Sequence, residues 1–162
     1  MRRRHAFALL IVLSLAGSSA AEQIEVRHVG ELVKPADLIA RVRILSVSDT
    51  GAAEGYPGKV SLVSVTEAVR GAARGQVIEL EHSYVNMHCP NVTYEIGEDV
   101  LLFATKRAGG RYGTLYADAG KIPIRNGLVE RHPFKQGQGY ASAMTEVRRE
   151  VKKLSALAAA RR

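Results

Sequence analysis

Two stretches, residues 37–48 and 59–69, alternate apolar and polar side chains over lengths that point to extended strands, and each changes face partway along. In the first, Ala40, Val42 and Ile44 oppose Arg41 and Arg43, after which the parity passes to Leu45 and Val47. In the second, the change falls between Leu62 and Val63. A change of parity is what a β-bulge produces. Two long strands that both switch face must coil strongly, as the strands of a small barrel do.

The elements around them extend this pattern. A short helix is expected near Val29 to Val33, stopping before Pro35 because the residue preceding a proline avoids helical geometry. Residues 49–58, rich in glycine and small side chains, predict a loop, and the glycines at 71 and 75 a turn. Residues 77–85 predict a third strand with Ile78, Leu80, His82 and Tyr84 on the core side and Glu79 and Glu81 on the other. An irregular loop, 86–98, leads to the continuous apolar run 100–104, the pattern of a central strand. Gly109 and Gly110 supply a turn before a further strand at 112–116. Asn126-Gly127 then joins segments 121–125 and 128–131 as a terminal hairpin, because that pair accepts the positive φ angles of a type I′ turn.

From Tyr140 the period becomes helical. Tyr140, Met144, Val147, Val151, Leu154 and Ala158 form one stripe, with Arg148, Arg149, Lys152 and Lys153 on the other side. The stripe predicts packing on the barrel. The basic face offers contact with an anionic surface or an acidic partner.

The succession Ala36-Asp37-Leu38-Ile39-Ala40-Arg41-Val42, a second strand ending Val69-Arg70-Gly71, a cysteine-containing loop and Gly97-Glu98-Asp99-Val100-Leu101-Leu102-Phe103 resembles the netrin-like modules, which include the N-terminal domain of tissue inhibitors of metalloproteinases. The resemblance covers residues 36–116 and implies an OB-type barrel. Those inhibitors present a disulfide-tied N-terminal cysteine to the protease zinc. This chain departs from them in having a single cysteine, Cys89, and no disulfide framework. The fold expected is therefore mostly β, a small OB-like β-barrel with a C-terminal amphipathic α-helix.

The N-terminus has the form of a secretory signal. Arg2, Arg3 and Arg4 precede an uncharged, leucine-rich run over 6–16 that is too short to span a bilayer, and small residues follow from Gly17 to Ala21. Cleavage is expected after Ala20 or Ala21. Ser18 stands where a lipoprotein signal requires cysteine, and His5-Ala6-Phe7 fits a twin-arginine signal poorly. The chain is accordingly divided into a signal peptide, 1–21, a barrel domain, 22–139, and a terminal helix, 140–162. Its localisation is expected to be extracytoplasmic, periplasmic or secreted.

The net charge of +7 is unevenly held. Residues 22–139 carry 14 basic and 14 acidic side chains, whereas residues 140–162 carry six basic and two acidic. The neutral body argues against a nucleic-acid surface. Cys89 excludes an intramolecular disulfide and leaves a buried, chain-bridging or reactive thiol as the alternatives.

His82, His88 and Cys89 are the densest set of ligand-type side chains, with Met87 beside them, and that donor set would suit copper or zinc. Their spacing matches no metal motif, and sequence neighbours such as His88 and Cys89 do not easily face one ion. His28 and His132 are expected at the surface. Asn91-Val92-Thr93 satisfies the N-glycosylation rule. No phosphate loop, nucleophile elbow or paired-cysteine framework is present. The expectation is a non-enzymatic binding or envelope module of unknown partner. A small metal-handling protein is the alternative, and a secreted protease inhibitor a more distant one.

Overall fold

The computed structural model describes residues 26–53, 56–83 and 92–161. The signal-like segment, Tyr84, His88, Cys89 and Asn91 lie outside the described residues. Helix α1 (Val29–Val33) opens the described chain. Five strands follow: β1 (Leu38–Ala53), β2 (Tyr56–Arg70), β3 (Val77–Ser83), β4 (Asp99–Lys106) and β5 (Tyr112–Thr114). Their order is β1-β2-β3-β5-β4, and β4 pairs back onto β1, closing a five-stranded barrel. All these pairings are antiparallel except β3–β5. The expected small OB-like barrel with a C-terminal helix is the observed architecture.

The coiling has the expected cause in altered detail. β1 and β2 slip register at four places. One is at Leu45, the unpaired extra residue between Ile44 opposite Val63 and Ser46 opposite Leu62. Leu45 is therefore not on the core side: it is exposed, as is Leu62, while Val47 returns to the interior. The extra residues on β2 are Thr66 and Val69, nearer its end than the alternation suggests. Ser61, Val63 and Val65 keep one parity and point inward.

Two cores share the same strands. Leu38, Ala40, Val42 and Ile44 of β1 join Val63, Val65, Ile78, Leu80, Val100, Leu102 and Ala104 inside the barrel. The alternate residues Ile39, Leu101 and Phe103 point outward into a second core beneath α1 and the C-terminal helix α2 (Tyr140–Ala159). This is why 100–104 reads as an unbroken apolar run: β4 is buried on both faces.

Strands β6 (Lys121–Arg125) and β7 (Leu128–Val129) turn at Asn126 and Gly127, whose φ angles are 52° and 75°, as the hairpin motif requires. The hairpin is not terminal. β8 (Gln138–Gly139) adds to β7 and leads directly into α2. Ala143, Met144 and Val147 of α2 are buried, and Val151 and Leu154 pack at the edge of the outer core. Ala158, at the end of the expected stripe, is exposed. Gly71, with φ 79°, lets the end of β2 pass over the start of β1, where a Cβ would run into the Asp37 carbonyl.

Candidate functional site

Of the three ligand-type residues singled out in the sequence, the described structure places His82. It lies on the inward face of β3, buried, as its parity predicts. Its Nε2 is 2.9 Å from the Ser61 hydroxyl of β2, and Tyr94 packs against its ring edge-on at 5.2 Å between centroids. The Tyr94 hydroxyl and Thr114 Oγ1 are 2.6 Å apart. Lys121, the first residue of β6, holds this end of the barrel together. Its ammonium lies 4.9 Å from the Tyr94 ring centre, pairs with Glu98 at 2.7 Å and donates to the Thr93 carbonyl at 2.5 Å.

A histidine within hydrogen-bond reach of a serine is the geometry of a nucleophile and its base. Ser61, however, is wholly buried and presents no surface to a substrate. To ligate a metal through Nε2, His82 would first have to release Ser61. Among the described residues, no three histidine, cysteine, aspartate or glutamate side chains converge on one point. His88 and Cys89 lie outside the described residues. His28 and His132 are exposed, as expected.

Burial pushes the His82 imidazole below its ordinary value of 6.5, and the nearby Lys59 and Lys121 ammoniums lower it further, against a backbone hydrogen bond at Val92. The folded state thus binds the proton less tightly than the unfolded chain does. The associated stability is fully present above pH 6.5 and is lost as pH falls toward the depressed folded value. Denaturant titrations across that interval should show unfolding free energy declining toward acid by up to about 1.4 kcal/mol per pH unit for the one proton. His82→Gln should lack that component. An identical slope in the variant would assign the acid sensitivity to other groups.

A second polar arrangement lies outside the barrel, where α2 begins. Arg41 of β1 grips Asp99 of β4 through Nε, at 2.9 and 3.0 Å, and through Nη2. Its guanidinium also sits 4.6 Å from the Tyr140 ring centre. The Tyr140 hydroxyl donates to Glu67 at 2.7 Å, and Arg148 pairs with the same carboxylate. The Asp99 hydrogen bond raises the Arg41 pKa, and burial, then the Glu67 hydrogen bond, raise that of the Tyr140 phenol. This seam ties the first turns of α2 to β1, β2 and β4.

Beside the seam, Arg41, Arg43, Thr66, Glu67, Ala68, Arg74 and Asp99 line an open groove of about 640 Å³. Glu67 and Asp99 are already matched by Arg148 and Arg41, whereas Arg43 and Arg74 form no ion pair among the described residues. Alternation along β1 puts Arg41 and Arg43 outward. Nothing in the sequence brings Arg74 to them, because only the pairing register and the tight β2–β3 turn do so. On α2, Arg149 and Lys152 are exposed, while Arg148 and Lys153 pair within the chain, the latter with Glu150 at 3.7 Å.

No family model matches the chain, and no curated protein or solved structure does either.

Proposed function

We propose that this chain is an exported, non-enzymatic binding module, a netrin-like barrel that works in the cell envelope or outside it after removal of residues 1–21. The observation that carries the binding reading is the outer groove, where, among the described residues, Arg43 and Arg74 form no ion pair beside a seam in which Arg41 is matched with Asp99 and Glu67 with Arg148. A charge without an ion pair adds no pairing energy to the fold and can meet a partner's opposite charge. The barrel interior is filled by side chains, which leaves the outer surface as the place to bind. Export is supported by the three arginines, the short apolar run and the small residues up to Ala21.

Intact-mass measurement of the chain recovered from the envelope or medium, with crosslinking before recovery, tests both parts. The mass should lack residues 1–20 or 1–21, and a crosslinked species should contain a second protein. A mass retaining residues 1–20 would sink the signal-peptide assignment. A chain that crosslinks to nothing would sink the module.

A further inference from the structure

The outward face of β1, β2 and β3 continues the arginine groove into an apolar strip. Arg43 is opposite Ser64, and Ser64 is opposite Val77, so one cross-strand row runs from the groove to the edge of β3. Leu45 and Leu62 lie next along the same strands, Leu62 opposite Glu79, whose carboxylate is taken by Arg111 at 2.6 Å. Leu45, Leu62 and Val77 are 45%, 38% and 53% exposed, high for aliphatic side chains gathered on one barrel face. Two arginines that form no ion pair among the described residues thus adjoin three exposed aliphatic side chains.

We propose that this face binds an acidic, extended segment of a partner protein, Arg43 and Arg74 pairing with its carboxylates while Leu45, Leu62 and Val77 cover its apolar side chains. The proposal rests on the binding-module reading and names the partner's chemistry. Guanidinium forks match carboxylates in two-bond geometry, and a cationic groove selects acidic chain by charge complementarity. A free anion would leave the aliphatic strip in water. Single-stranded nucleic acid needs aromatic platforms, and among the described residues the groove lining holds no aromatic side chain, while the Tyr140 ring of the adjoining seam is covered by Arg41. A second copy of this chain offers a charge-balanced body and a basic terminal helix, with no acidic excess to complement the groove.

The test is fluorescence anisotropy of the full chain with a fluorescein-labelled peptide alternating glutamate and leucine. Saturable binding is expected, weakened at least about tenfold by the double charge reversal Arg43→Glu, Arg74→Glu. Arg125→Glu, at an exposed arginine on the β6 hairpin, should leave it unchanged. Replacing glutamate by glutamine in the peptide should weaken binding to a similar extent. Among the described residues neither Arg43 nor Arg74 makes an ion pair, so the double variant should keep the circular dichroism spectrum and melting temperature of the natural chain.

No binding, binding indifferent to the charge reversal, or equal binding of the glutamine peptide overturns the proposal. Tighter binding of oligodeoxythymidine, or of phosphatidylglycerol vesicles, overturns it in favour of nucleic acid or membrane. A null peptide result alongside a crosslinked protein partner removes the acidic segment and leaves the module. A null result with no crosslinked partner removes both.

Discussion

Phe103→Ala is expected to lower the unfolding free energy by about 3–5 kcal/mol, a large share of what a domain of this size holds. Phe103 is fully buried on β4 and points out of the barrel into the core that α1 and α2 cover. The surroundings are poorly able to collapse into the space left. On one side is the barrel wall, where the Phe103 amide donates to the Gly120 carbonyl at 2.8 Å and its carbonyl accepts from the Leu115 amide at 3.0 Å. On the other are two helices held by the same patch, including Leu32, Val33, Met144 and Val147. Equilibrium denaturation should show a lower midpoint with an unchanged slope. A loss below 1 kcal/mol would mean that the helices do not depend on this face of β4.

Lys121→Ala is expected to cost a comparable amount, about 3–5 kcal/mol, for an electrostatic reason. The Lys121 and Glu98 side chains are 12% and 17% exposed, so removing the ammonium leaves a largely buried carboxylate without its counter-charge. It also frees the Thr93 carbonyl and uncovers the Tyr94 ring. The segment affected is itself stitched to β1, through Gly97 to the Ile44 carbonyl at 2.8 Å and Ile44 to the Glu98 carbonyl at 3.0 Å. Faster hydrogen exchange should therefore appear at the amides of 94–98 and of Ile44 before it appears in α2. The double variant Lys121→Met, Glu98→Gln should recover most of the loss, since it removes both charges together. Failure of the second change to restore stability would place the cost in lost packing.

What could be read in the sequence follows from how locally each feature is encoded. Alternation, the Asn126-Gly127 pair and the helical stripe from Tyr140 are properties of neighbouring residues, and the barrel, the hairpin and α2 appear where they imply. Leu45 and Leu62 were expected inside because apolar character normally reports burial. Leu45 is exposed at a bulge placed by the pairing of two strands, which neither strand specifies alone, and Leu62 because β2 keeps Ser61, Val63 and Val65 inward on either side of it. The short strand β8 escapes notice for the same reason: Gln138 and Gly139 have no strand pattern and are extended because β7 pairs with them. At the candidate sites, the burial of His82 is written in its parity. Its bond to Ser61 is not, because that bond depends on the offset between β2 and β3. The groove is less legible still, since Arg43 and Arg74 are separated by a whole strand of sequence.

The β1–β4 pairing that closes the barrel also sets how the chain must acquire its structure. Leu38 meets Ala104, so β1 can zip onto β2 as soon as both are made, while its other edge has no mate until β4 arrives. Such non-local closure is slow compared with hairpin or helix formation. Until it occurs, a strand destined for burial on both faces at Leu38 and Ile39 presents an open edge to any neighbouring chain. Helix α2, which seals the outer core over Ile39 and Phe103, comes last in the chain. The order of synthesis therefore runs opposite to the order of protection, and the nascent N-terminal half must wait for the C-terminal half before either of its edges or its outer face is safe.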